Sequence, residues 1–557
     1  MSLPDVNVEV KDGALGLVSS FPAGVFGMVG PAAAGTVNAP VIVTDPDAVD
    51  GVFGSSALAT ALKDALASGA RTIVAARTAA PVAGSISEVT KTSTTSIRSL
   101  GLAGSGTGTV VLSGTPTAID LLDIEIVDPG AVGVATFRWR VGTGAWSEAI
   151  LTAATVALAG TGCTAAFADG AEPTSFVAAD LWRFELYGAG TGSVTASGTP
   201  TGDHDVDVLI TFPGGLNEAK FRYQLDDGAL SSEQTVQASF VLPGTGATLA
   251  FVAGVSGTSF GIGDRYSLST TGPVTTVQAY AAAIEALNAT PYGLEWIHVV
   301  GPTDSAAWTA FDALLETAAD HFKFRFVVCE ARGLNEGETV DEWVAALVLE
   351  IADFSGKRVC VVAGDLVIDG EERNGAGRFS GRLAGLSKIS VSAGRVIDGP
   401  LAGVTNLAPL DDDENPMVNE GHALLLDAAH YTTFRKFESL SGVYVTNARM
   451  AVDDTSDFRW VEYRRVMDKA CREVRLAGLK SEHREADQAG LEALKTDCEK
   501  PLRTMVAAGE ISAGSVLIPD GQDFLATSRV AVKVRIQPKA TMRFIDLELG
   551  FENPFGA

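Results

Sequence analysis

The densest chemistry in this 557-residue sequence is cationic. Arg459, Arg464, Arg465, Lys469, Arg472, Arg475, Lys480 and Arg484 are opposed by Glu462, Asp468, Glu473 and Glu482. Eight cations less four anions leave +4, inside a chain whose formal net charge is −27. On a helix Arg465, Lys469 and Arg472 share one face, Arg475 lies close to it, and Arg464 extends the patch. Such a stripe could hold an acidic protein surface through several weak, screened contacts. The plainer alternative is a solvated helix face with local i,i+4 pairs.

Other residues with catalytic or ligating chemistry do not assemble into a motif. Gly104-Ser-Gly-Thr-Gly108 lacks the Lys-Ser/Thr end of a phosphate loop and reads as turns. No G-x-S-x-G elbow and no HExxH pair occurs, and the six His residues are scattered. His422 and His430 read as ordinary surface or core residues. Asp411-Asp-Asp-Glu414 lacks the spacing of a calcium loop and reads as a solvated acidic loop. Asp304 and Asp365 follow strands, where ligands of α/β proteins often bind, yet no base or phosphate loop accompanies them. The chain is expected to have no catalytic, metal or cofactor site and not to be an enzyme.

Composition narrows the class further. Apolar residues make up 46% and charged residues 20%, which predicts a folded chain, and its length predicts several domains. The acidic balance argues against nucleic acid as a main partner. No apolar run is long enough for a transmembrane helix, and the start, MSLPDVNVEVKDG, is not a secretory signal. Five cysteines without CxxC spacing predict no disulfide framework; Cys329 and Cys360 sit in apolar runs and read as buried.

The elements that must carry these residues fall into blocks. Val6, Val8 and Val10 alternate with polar residues and predict a terminal strand. Residues 21–98 open as β–turn–α–β, with Leu58, Leu62 and Leu66 on one helix face. From 99 to 273 small residues dominate, Lys220 is the only lysine, and β structure is expected. This stretch repeats with a period of 84 residues. Ser113-Gly-Thr-Pro-Thr117 returns as Ser197–Thr201, Phe137-Arg-Trp139 as Phe221-Arg-Tyr223, and Asp180 as Asp264. Two tandem β-sandwich-like modules, 99–188 and 189–273, are expected. Residues 274–410 alternate strands with helices, which predicts a parallel or mixed sheet covered by helices. Residues 411–557 hold a charged helix near 457–484, a second near 485–508, and strands around Val530–Ile536 and Ile545–Leu549. The fold class is thus α/β and β, multidomain.

The order of three stretches resembles the contractile tail sheath proteins, in particular the Mu-like branch. They are Val25-Phe-Gly-Met-Val-Gly30 with Pro40–Thr44 and the passage to Arg77; Gly377-Arg-Phe-Ser-Gly-Arg-Leu-Ala-Gly385 with Gly394–Leu401; and Met542-Arg-Phe-Ile-Asp-Leu-Glu-Leu-Gly-Phe551. The resemblance covers about half the chain, and the duplicated β insert departs from a minimal sheath subunit.

The resemblance implies a subunit that polymerises as stacked hexameric rings around a tail tube and contracts, with the tube, baseplate and tail terminator proteins as partners. It implies a place in the tail of a virion assembled in the bacterial cytoplasm, or in a related injection device. It also implies strand arms at both ends, residues 1–20 and the C-terminus, that complete sheets in neighbouring copies. Val6, Val8, Val10, Phe544, Ile545, Leu547 and Leu549 would insert, and Arg464, Arg465, Lys469, Arg472 and Arg475 would face the tube. The same end strands could instead pair within their own domain. A different class, a baseplate or surface adhesion protein using the β modules, predicts persistent monomers rather than tubes.

Overall fold

A computed structural model describes residues 23–551, except 172–174, 227, 256–258, 336 and 412. It has two compact units. One comprises the described residues up to Pro81 and those from Thr275 onward; the other is Val82–Val274. The expected arm residues Val6, Val8 and Val10 lie outside the described residues.

The first unit is built on a six-stranded sheet in the order 41–43, 73–77, 26–30, 296–302, 326–330, 359–362. All neighbours pair in parallel except 41–43, which runs antiparallel to 73–77. Parallel strands covered on both faces are apolar throughout, and Phe26–Gly30, Phe326–Glu330 and Val359–Val362 are buried at every position. Alternate side chains sort into two cores. Phe26, Met28, Trp296, Phe326, Val328 and Cys360 pack with helices Ala57–Ala67 and Ala376–Gly385. Ile297, Val299, Val327, Cys329, Val359 and Val361 pack with helices Val277–Ala289, Ser305–Asp320 and Val340–Ile351.

All of these helices but Ala376–Gly385 start where the sequence supplies a side-chain N-cap. Ser56, Thr276, Asp304 and Thr339 each accept a backbone N–H of the first turn, and Thr339 closes a capping box with Glu342. The Gly377–Gly385 stretch has a packing reason. A Cβ on Gly381 would lie 2.2 Å from the Ala65 carbonyl oxygen, and one on Gly377 would lie 3.2 Å from that of Ala61. Two helices therefore meet backbone to backbone there.

The stretches 21–98 and 274–410, read separately in the sequence, thus share one sheet. The boundary expected at residue 99 also moves. Strands Ser85–Ile86, Thr90–Ser93 and Ser96–Ala103 belong to the second unit.

That unit contains two modules of the same topology. In the first, a five-stranded sheet (150–151, 136–141, 119–128, 181–187, 96–103) and a three-stranded sheet (156–158, 163–168, 109–114) share one core. In the second, 234–235, 220–225, 204–212 and 264–271 face 193–198, 247–252 and 239–241 around another. The repeated Phe137, Phe167 and Phe176 line the first core, and Phe221, Phe251 and Phe260 the second. The entering chain pairs first with 264–271 and then with 181–187, so it covers one sheet edge in each module.

The glycine-rich turns serve the repeat. Asp180 accepts the backbone N–H groups of Ser105, Gly106 and Val177 at 2.8–3.2 Å. A Cβ on Gly104 or Gly106 would collide with its carboxylate. The apparent anion cradle is therefore filled by the chain's own anion. Asp264 does the same for Gly190 and Gly261 in the second module, with Lys91 at 3.1 Å.

The C-terminal part contains helices Val461–Leu479 and Gln488–Ala507 and a hairpin of Ile511–Leu517 with Lys533–Pro538. Val466, Ala470, Cys498, Leu502, Met505 and Ile511 form its core. From Lys539 to Phe551 there is neither helix nor strand, so the expected strand Ile545–Leu549 is not formed in the single chain.

Candidate functional site

In a parallel α/β sheet every covering helix ends at the edge where the next strand begins. Carbonyls and negative helix ends gather there. In this protein the residue before each of three neighbouring strands is also charged: Glu295, Arg325 and Arg358. Helix Val461–Leu479 supplies the countercharges. Arg465 Nε donates to Glu295 Oε2 at 2.8 Å, and its Nη1 donates to the Leu383 carbonyl at 3.1 Å. Arg472 Nη1 donates to the carbonyls of Leu294 and Phe324 at 3.1 and 3.2 Å. Arg464 pairs with Asp468, which also takes Arg358 Nη1 at 3.5 Å. Glu295 Oε1 accepts the Gly24 N–H at 2.8 Å, which fastens the start of the described chain to the same network.

Within a single copy this turns Arg464, Arg465 and Arg472 inward, against the outward-facing reading of the stripe, while Lys469 and Arg475 stay partly exposed. Arg464, Arg465 and Arg472 are only 5, 3 and 7% exposed. Lys469 binds Glu510 at 2.7 and 2.8 Å, and Arg475 lies 3.7 Å over the Phe322 ring. The reason is that carbonyl-rich strand starts compete successfully for guanidinium donors. Spacing placed these cations on one face but could not tell which way that face turns.

The electrostatics follow from burial. Burial alone would push the Glu295 carboxyl up, but Arg465 and Arg472 outweigh it and hold it below the ordinary range. Arg325 is pulled down to about 10 by burial, with Arg472 adding repulsion.

The start of the same helix anchors the C-terminal segment. Arg543 lies 3.6 Å over the Trp460 ring, donates to Asn447 Oδ1 at 2.6 Å and pairs with Glu462. Beyond this anchor the side chains lose their cover. Phe544, Ile545, Leu547 and Leu549 are each at least 70% exposed, as are Met542 and Phe551. A run of this kind in one chain is an interaction surface or an aggregation hazard.

The remaining candidates have structural jobs. Asp304 caps a helix, and Asn419 caps another by accepting the His422 N–H, while the His422 ring touches Asp341 at 2.8 Å. His430 sits 3.7 Å from Asp454. Asp411 accepts the N–H groups of Asp413 and Asn415, closing its own turn. Cys329 and Cys360 are fully buried. Among the described residues no cluster of His, Cys, Asp or Glu could hold a metal ion, and no helix is long and apolar enough to cross a membrane.

Asp365 is different: burial, with Glu330 and Glu372 nearby, pushes its carboxyl up to about 6. An unfolded Asp titrates near 4. Between these values the folded protein binds more protons, so stability falls as pH rises from about 4 to about 6. Asp365→Asn should therefore stabilise the protein by on the order of 2 kcal/mol at pH 7.5 and by almost nothing at pH 4. Denaturant melts at the two pH values measure this, and an equal effect at both would refute the assignment.

Comparison with known proteins gives a family and partial likenesses. The family model described as DUF2586, N-terminal domain, matches residues 3–449, and the DUF2586 C-terminal domain matches 457–556. A protein of Haemophilus phage HP1, provisionally named a tail sheath protein, is 26% identical over 230 residues. That match takes in 38% of this chain and 59% of the relative, so the similarity spans well under two thirds of the relative's length. Sheath tail proteins of Desulfitobacterium hafniense and Listeria innocua superpose with TM-scores of 0.42 and 0.41 at 13 and 12% identity. The superpositions cover 96 and 93% of this chain and 100 and 95% of theirs. At these scores the superpositions carry no functional weight.

Proposed function

The chain belongs to the DUF2586 family, and from that premise we propose that it is a structural subunit of a contractile tail sheath. The observation that carries this reading is the segment after Arg543, whose apolar side chains have no cover in a single copy. They gain cover when the segment joins a sheet in a neighbouring copy, by strand addition. The acceptor is the Ile511–Leu517/Lys533–Pro538 hairpin. It has only two strands, so each leaves one edge without a strand partner among the described residues.

A donor at one place and an acceptor at another make a head-to-tail contact, and such contacts extend into rings or helices. Stacked hexameric rings around a tail tube, contraction, and attachment to baseplate and terminator proteins follow from the sheath resemblance, as does the Mu-like kinship. The subunit would then sit in a virion tail and perform no catalysis. The charge of −27 opposes assembly at low salt, so moderate salt should promote it.

Electron microscopy of the purified full-length chain at rising protein and salt concentration tests the proposal. Long hollow tubes are expected. Monomers that persist at every condition would remove it.

A further inference from the structure

A cavity of about 680 Å³ in the first unit opens beside residues 539–543, where the C-terminal segment leaves the body. Its charge is unlike that of the rest of the chain. Lys388, Arg395, Arg435, Lys539 and Arg543 line it, and no Asp or Glu does. The three arginines have carboxylate partners outside the lining, namely Asp398, Glu420 and Glu462. Among the described residues Lys388 and Lys539 have no carboxylate partner, and both are exposed. Phe437 and Val445 add apolar wall, and Val396 and Met542 apolar rim. A cationic and apolar cleft in a chain of −27 calls for an acidic, apolar ligand.

The sequence contains such a ligand. Residues 544–557 carry Asp546, Glu548 and Glu552 and no Lys or Arg, among five large apolar residues between Phe544 and Phe551. The same chain's 544–551 does not fill the cleft, since its apolar side chains stand in solvent.

We propose that this cleft receives the acidic C-terminal segment, residues 544–557, of a second copy, with Lys388 and Lys539 reading Asp546 and Glu548. This rests on the arm-exchange reading above and adds to it a charge code that fixes which segment enters and in what register. The hairpin edge offers hydrogen bonds to any strand. The lysines discriminate, because a neutral or basic strand would leave them without countercharge.

A fluorescent synthetic peptide of residues 544–557, titrated into the full-length chain below its assembly concentration, provides the test. Binding is expected, at least tenfold weaker to the K388E/K539E variant, and at least tenfold weaker for a peptide carrying D546N, E548Q and E552Q. The variant with K388E, K539E, D546K and E548K together should recover tube formation that K388E/K539E alone loses. Equal affinity for both chains and both peptides would overturn the cleft while leaving arm exchange standing. Binding of a peptide of residues 1–22 at these lysines, with none for 544–557, would overturn the occupant. If no arm peptide binds and no tubes form, arm exchange falls with it. Both lysines are exposed, and an unchanged thermal melt of K388E/K539E excludes misfolding as the cause.

Discussion

A chain ending at Arg543 stays monomeric at concentrations where the full-length chain forms tubes, and it melts at the same temperature. Both halves of this expectation follow from exposure. Residues 544–551 bury no apolar side chain in their own copy, so their loss costs the fold almost nothing. In an assembly each large apolar side chain contributes about 1.5–3 kcal/mol when it is covered. Five such side chains give on the order of 10 kcal/mol before ordering costs, which suffices to decide whether copies associate. Analytical ultracentrifugation and microscopy of the truncated chain measure the first half, and calorimetry the second. Tubes of normal length from the truncated chain would show that the arm is dispensable. Arg543→Ala should fall between the two, because the segment remains but its root is loosened.

The second large effect concerns the fold. Glu295→Ala is expected to destabilise the first unit by about 3–5 kcal/mol, the usual cost of removing one partner from a buried pair. Arg465 and Arg472 would remain buried without the carboxylate, and the Gly24 N–H would lose its acceptor. The pH signature is opposite to that of Asp365. The Glu295 carboxyl sits below its unfolded value, so its stabilisation is present at neutral pH and is lost as pH falls through the carboxylate range. The unit spanning 82–274 contains none of these groups, so its own transition should not move. Chemical unfolding followed by Trp fluorescence resolves this; a loss below 1 kcal/mol would mean that solvent reaches the pair.

Local pattern made much of this molecule legible. The short apolar stretch Trp296–Val300, ended by Gly301-Pro302, and the three-four spacing of Trp308, Phe311 and Leu315 report strand and helix directly. The 84-residue repeat located the duplicated cores because Phe137 and Phe221 do the same job in each. What stayed hidden depends on distant partners. Ile511–Leu517 contains Ser, Ala and Gly and does not alternate cleanly, so only its pairing with Lys533–Pro538 marks it as a strand. Strands 85–86 and 90–93 lie before the change in composition and 96–103 straddles it, and they pair with residues 78 to 186 positions later. Helix periodicity grouped Arg465 and Arg472. Their inward turn is set by Glu295 and by the carbonyls of Leu294 and Phe324, which no local window contains.

The two anchor points on helix Val461–Leu479 sit three residues apart: Arg465 holds Gly24 through Glu295, and Glu462 holds Arg543. A pull on Gly24 and a pull on Arg543 would both reach this helix, at points less than one turn apart. Gly24 also leads directly into the central strand Phe26–Gly30, so the six-stranded sheet shares the load. In the proposed sheath, the contacts that tie both ends of a subunit would thus converge on the same few residues of one helix.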